Sequence, residues 1–401
     1  MSRSTKMYFG IIVGAALLMA GCATQPAAPE RVLGRSDIGV IYESPEYQLT
    51  GVAVSRAARV FVNFPRWAGP YRMGVGEVTS PGTIKAYPDE TWNAFSEDPK
   101  MPPAGDHWVC VQSVHVDGRD RLWVLDTASP RLEGVVRPDA ARGVGGGGPK
   151  LVEIDLATNA VKRIIRFDDT VCPANCYLND VRVELLETGD VGYITDSGAG
   201  AIIVVDLNTN TARRLLADHP STKADASLLP IIGGRQLRGP DGKVPQVHSD
   251  GIALDHRRGW LYWQALTGKR LYRIETELLR DASMSAAALG AAVTDLGESV
   301  MADGLECDKD GVLYFTALEN DAVVVRMPDG TRHTLARDPI IAWPDSFALA
   351  EGHMPGQPSS AREPLVIFTT AQIHQTPMFN SGAAWPTEPF RVLVVPAVRR
   401  K

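Results

Sequence analysis

Short runs that alternate apolar and polar residues recur along the chain between residues 37 and 397. A period of two is what a strand with one buried face requires. Six segments share one design: an alternating strand, a polar turn, then a second strand rich in aromatic and β-branched residues. They are TGVAVSRAARVFVNF (50–64), QSVHVDGRDRLWVLDT (112–127), NDVRVELLETGDVGYITDS (179–197), SDGIALDHRRGWLYWQAL (249–266), ADGLECDKDGVLYFTAL (302–318) and PDSFALA (344–350), the last resumed at PLVIFTT (364–370). Their starts are spaced as propeller blades with loop insertions are.

Several units continue into another hairpin, as in KLVEIDLATNAVKRIIRF and AIIVVDLNTNTARRLL. Four strands per unit and six units predict an all-β fold, a six-bladed β-propeller, because one four-stranded sheet cannot bury both its faces alone. DIGVIYE (37–43) and FRVLVVPA (390–397) are placed to close the ring by sharing the last blade. The helix-compatible stretch IETELLRDASMSAAALGAAV is expected as an insertion between blades. Gly143, Gly145 and Gly148 fit G-x-G-x-x-G, but no helix or Lys-Ser/Thr pair follows, so the segment reads as a flexible connection.

Composition changes this picture at two points. A net charge of −6 over 401 residues leaves no basic footprint, which argues against a nucleic-acid partner. At the N-terminus, Arg3 and Lys6 precede the apolar run YFGIIVGAALLMAG, which is short for a membrane span and reads as a secretory signal. LMAGC resembles the bacterial lipoprotein box, so residues 1–21 are expected to be removed and Cys22 lipidated. Residues 22–36 would tether the propeller (37–398) to a membrane, in the cell envelope or outside the cell. Export permits disulfides, and Cys172 and Cys176 in CPANC are the local candidate pair; Cys110 and Cys307 read as buried thiols.

VQSVHVDGRDRLWVLDTAS, YLNDVRVE, GYITDSGAGAIIVVDL, SDGIALDHRRGWLYW, TGKRLYRI, IKAYPDETWN and ALENDAVVV together resemble the major royal jelly protein/Yellow family, in order from about residue 50 to about residue 395. The resemblance implies a six-bladed propeller. It also implies a small-molecule ligand, aromatic or an amine, in the central channel, or a dopachrome-type isomerisation. In the family's amine binders a Thr/Asn/aromatic group holds the ligand; Thr316 and Asn320 are the matching positions here.

In a propeller the first strand of each blade lines the axis. Asp180, Asp250, Asp303 and Asp345 each stand at the start of such a strand, with Thr50 and Gln112-Ser113 in the corresponding places of the other blades. Four carboxyls around one cavity repel unless a cation or hydrogen bonds compensate. Asn179, Asp180, Asp250 and Asp303 are therefore candidate ligands for Ca²⁺, and Asp180, Asp303 and Asp345 candidate ligand contacts. The cation reading leads to a second function: Ca²⁺-dependent lactonases of the gluconolactonase type place Asn/Asp ligands at these strand starts. They carry a glutamate before the first-strand glycine, where this chain has Thr50. His248 and Asp250 are the candidate acid and base for proton transfer, ahead of His115 and His374. No G-x-S-x-G occurs in the chain. A non-catalytic interaction module at the envelope is the third reading.

Overall fold

The computed structural model describes Met1, residues 26–67, 71–95, 106–129, 148–352, Met354, and residues 363–384 and 389–399. Cys22, the signal segment and most of the Gly-rich connection lie outside the described residues. Six four-stranded antiparallel sheets form a ring. The innermost strands, in order around the axis, are Val52–Val54, Val111–Val116, Leu178–Glu184, Ser249–Asp255, Ala302–Cys307 and Pro344–Gly352, and each packs against the next. The six blades follow this order below.

Antiparallel neighbours joined by tight turns keep each blade local in sequence. In ATNA and NTNT the turn chemistry is visible: Asp155 accepts the N–H groups of Ala157 and Thr158, and Asp206 those of Asn208 and Thr209. Asn159 and Asn210 then take the left-handed conformation that closes each hairpin. Blade six is completed by the two ends of the chain, Gly39–Ser44 pairing with Phe390–Pro396. Among the described residues no helix is long and apolar enough to cross a membrane.

The cores lie between blades. Trp123, Leu125 and Leu151 of blade two meet Val181, Ile194 and Ile203 of blade three, and five further clusters repeat this around the ring. Burying one such side chain contributes about 1.5–3 kcal/mol. Trp123, Trp263 and Tyr314, aromatic residues of the second strands, are fully buried here.

The helical insertion is not between blades. Thr276–Arg280 and Ala286–Ala292 lie inside blade four, joining its third strand, Arg270–Glu275, to its fourth, Thr294–Glu298. The apolar face of the insertion explains the placement: Leu279 and Leu289 are buried in the core shared with blade three.

Candidate functional site

The starts of the innermost strands carry the chemistry. In blades two to six the pairing with the second strand slips there, between Val111 and Ser113, Leu178 and Val181, Ser249 and Ile252, Ala302 and Leu305, and Pro344 and Phe347. A bulge of this kind re-aims side chains that regular pleating would point sideways. Asp180, Asp250, Asp303 and Asp345 all sit in these bulges. The glycine after two of them has a separate cause. A Cβ at Gly251 would collide with the Asp303 carbonyl of the next blade, and one at Gly304 with the Asp345 carbonyl. Asp-Gly is thus a bulged acid followed by the only residue the neighbouring strand permits.

Threonines on the second strands brace the bulges. Thr195 Oγ1 accepts from the Asp180 N–H (3.2 Å) and donates to the Asp250 carbonyl. Thr316 Oγ1 accepts from the N–H groups of Asp303 and Gly304 (3.0 and 2.9 Å). Thr369 Oγ1 accepts from Ser346 and donates to the Thr50 carbonyl of blade one. Thr316, expected as a ligand contact, is fully buried in this bracing role. Asn320 does not join it: it lines a separate surface depression with Arg332 and His333. The pairing of Thr316 with Asn320 as a ligand group is therefore not formed, because the turn after the second strand carries Asn320 away from the axis.

The axial cavity holds about 500 Å³. Trp67, Leu266, Ile373, Met378 and Phe379 form apolar wall, and Asp250 and Asp303 line it with Gln112 and Asn179. Asp250 and Asp303, 2% and 5% exposed, line the same cavity from adjacent blades, close enough for each carboxyl to shift the pKa of the other. Burial, and then the neighbouring carboxyls with Asp303 foremost, push Asp250 well above the carboxylate range. Burial raises Asp303 to about 7, opposed by the Trp343 indole, whose Nε1–H donates to Asp303 Oδ2 at 2.6 Å. Asp250 is thus the protonated partner and Asp303 the one that ionises.

Asp180 and Asp345 belong to the same ring but are not among the residues lining the cavity. Asp180 accepts from Ser113 Oγ (2.8 Å) and lies 3.9 Å from the Arg182 guanidinium; burial raises its pKa against both. Burial, then Asp303, raise Asp345 well above the usual range. Its Oδ1 accepts from Ser346 Oγ, while its Oδ2 is buried with no hydrogen-bond partner.

Arg182 closes the axis beneath the acids. From blade three it reaches the Leu305 carbonyl of blade five (2.7 Å), and its Nε lies 3.3 Å from Glu306. Beyond it, burial and the Arg182 charge push His115 down to about 3, so this imidazole is neutral. The face where the innermost strands end opens separately, lined by Ser55, Asp117 and Asp308.

The donor set was expected to suit Ca²⁺, with Asn179, Asp180, Asp250 and Asp303 as ligands. One oxygen of Asp303 accepts the Trp343 indole N–H and one oxygen of Asp180 accepts the Ser113 hydroxyl. The Asn179 amide nitrogen donates to Ser197. No group of three His, Cys, Asp or Glu side chains among the described residues is arranged to hold a metal ion. With one oxygen of Asp180 and one of Asp303 already accepting side-chain hydrogen bonds, and no such group formed, these residues as arranged do not make a Ca²⁺ cradle.

His248 is also set apart. It is not among the residues lining the cavity, its Nδ1 accepts from the Ala224 N–H (2.9 Å), and burial lowers its pKa. It braces the backbone at Ala224, while Asp303 lines the cavity beside Asp250. Cys172 and Cys176 are buried thiols in contact, not a closed disulfide; burial and the Cys172 thiol raise Cys176 well above the usual range.

Trp343, Tyr177 and Arg182 escaped the sequence reading. Trp343 adjoins the Pro344-Asp345 start and holds a left-handed backbone (φ 50°), with its ring stacked on His374. Tyr177 receives the Trp67 N–H and donates to Gln112, tying the cavity wall together. Arg182 left no signal, because in the sequence it alternates with Val181 and Val183 as a solvent-facing strand residue would, and only the structure buries the whole strand.

A family model described as "Major royal jelly protein" matches residues 109–342, more than half of the chain. A comparison with the curated proteins found no match. Among solved structures, a gluconolactonase from Xanthomonas campestris is similar at 12% identity, over 93% of this chain and 96% of that one, with a TM-score of 0.50. A putative gluconolactonase is similar at 14% identity, over 94% and 99%, with a TM-score of 0.50. At such identities the likeness shows the propeller fold alone.

Proposed function

The chain belongs to the major royal jelly protein family, and on that premise we propose that its axial cavity binds a small molecule with an aromatic or apolar body and a protonated amine. One observation carries the reading. A buried acid pair, Asp250 and Asp303, stands in a cavity whose wall is otherwise largely apolar. An ionised carboxylate in such surroundings is costly without a cationic partner. An ammonium group meets that need, while Trp67 and Phe379 offer aromatic surface to the rest of the ligand. Dopachrome-type isomerisation moves protons between carbon and oxygen, and the same pair would supply the acid and the base.

The sign of the pH dependence follows from Asp303. Below about 7 the pair keeps both protons, and an ammonium ligand must displace one. Affinity for tryptamine should therefore fall roughly tenfold per pH unit below 7 and level off above it. Titration calorimetry between pH 5.5 and 8 measures this, with 3-methylindole as the neutral comparison. Binding that ignores pH, or equal affinity for 3-methylindole, would refute the amine reading. Inertness towards both would leave an interaction module.

The expected lipid anchor at Cys22 bears on where the ligand is met. Cys22→Ser should shift the protein from the membrane fraction to the soluble fraction of the exporting cell, as an immunoblot would show. Unchanged fractionation would remove the anchor from the proposal.

A further inference from the structure

We propose that the outer part of blade five carries a second binding site, for a phosphate group, separate from the axial cavity. Its place is the depression of about 510 Å³ that takes in Asn320, the residue carried off the axis, with Arg332, His333, Thr334 and Arg337.

The register of the blade assembles the site. Its third strand, Ala322–Arg326, pairs with its fourth, Arg332–Arg337, and the register slips between Val323 and Val324. Arg326, Val324 and Ala322 then stand opposite Arg332, Thr334 and Arg337. Residues paired across antiparallel strands share a face. The bulge at Leu335 therefore turns Arg337 to the side of Arg332, where unbroken alternation would point it the other way. Ala322 and Val324 are buried and give the depression an apolar floor, and Val300, from the link between blades four and five, adds to its wall.

The charges are left without partners. Arg326 and Arg332 lie directly opposite each other, an arrangement of like charges that weakens a sheet unless an anion joins them. Burial lowers the Arg326 pKa, and the Arg273 and Arg332 charges add to that effect. Among the described residues no acidic side chain lines the depression. Asp329, near Arg326 and His333, is held by the Thr331 N–H and hydroxyl, and Asp321 makes no ion pair with Arg337. The side chains of Asn320, Arg326, Arg332, His333, Thr334 and Arg337 have no hydrogen bond or salt bridge among the described residues. Guanidinium groups hold phosphate oxygens through paired N–H donors, and the amide, imidazole and hydroxyl beside them can complete the shell.

The tether lies against the same strand. The Leu33 N–H donates to the Leu335 carbonyl (2.8 Å), and the Leu33 carbonyl accepts the Arg337 N–H (2.9 Å). Residues 23–32 alone separate Leu33 from Cys22, a reach of at most about 40 Å. With the anchor proposed at Cys22, lipid headgroups come within reach of the site. The phosphate thus has two sources, a phospholipid headgroup or a free phosphate ester.

Calorimetric titration of the full-length protein with pyrophosphate tests the site. Arg332→Gln combined with Arg337→Gln should weaken binding about 10–100-fold. Arg56→Gln combined with Arg257→Gln, an equal change of charge at two exposed arginines outside the depression, should leave it unchanged. Thermal melts would establish that both double variants fold. Tryptamine affinity, whatever its value, should be the same in all three proteins, because neither change touches the axial cavity. Glycerol 3-phosphate and monomeric dioctanoyl phosphatidylglycerol separate the sources. Tighter binding of the lipid, lost with Arg332→Gln and Arg337→Gln, would identify a headgroup, and tighter binding of the ester a free phosphate. Absence of pyrophosphate binding would overturn the proposal, as would equal affinities in the two double variants.

Discussion

Asp303→Asn is expected to bind tryptamine about 100-fold more weakly than the unaltered protein at pH 8, the usual scale for losing one partner of a buried charge pair. The amide keeps the shape of the carboxyl and can still accept the Trp343 N–H, so the bulge should survive. Stability should move the other way. The folded pKa of Asp303, about 7, lies above its unfolded value, so between about pH 4 and 7 the folded state holds the extra proton. Stability therefore falls as pH rises through that window and is flat above it, and the variant lacks this loss. At pH 8 Asp303→Asn should be more stable by on the order of 2–4 kcal/mol, and near pH 4 the two should coincide. Calorimetric titration and thermal melts at both pH values read the two effects. Tight tryptamine binding by the variant would show that the Asp303 charge takes no part in recognition.

The second large effect lies outside the cavity. Asp126 and Lys150 form an ion pair at 2.8 Å with both side chains fully buried, and Asp126 also accepts the N–H groups of Val109, Cys110 and Ala128. Asp126→Ala would leave an ammonium and three amides buried without that partner. Stability should drop by about 3–5 kcal/mol. Adding Lys150→Met should recover much of it, since the stranded charge is then gone. Denaturant melts of the single and double variants test this; a single variant within about 1 kcal/mol of the original would contradict it. Cys110 leads directly into Gln112 and Ser113, so the same change should loosen the cavity wall. Blade three repeats the device, with Asp196 accepting from Tyr177, Gly198 and Ala199 and paired with Arg214.

Blade number and ring closure were legible because both are written in local terms. A period of two, a turn residue and an aromatic second strand recur whatever their neighbours do. The acids at the strand starts were legible for the same reason, since the repeat aligned Asp180, Asp250, Asp303 and Asp345 before any contact was known. Residue roles were not. Thr316 and Thr195 occupy matching positions on their second strands, yet whether such a hydroxyl meets a ligand or a backbone N–H depends on the bulge opposite it. His248 stands two residues before Asp250, but a strand start turns nearby side chains in different directions, and its ring nitrogen went to Ala224.

The sequence by itself determined a ring of six sheets whose strand starts are acidic, because strand period, turn chemistry and repeat spacing act over a few residues. Only the tertiary structure decided that Asp250 and Asp303 line one buried cavity, that Trp343 holds the latter, and that Arg182 seals the axis below them. Those outcomes depend on groups from different blades, 40 to 123 residues apart along the chain, meeting where water is scarce. Burial there converts closeness into a choice of which carboxyl keeps its proton.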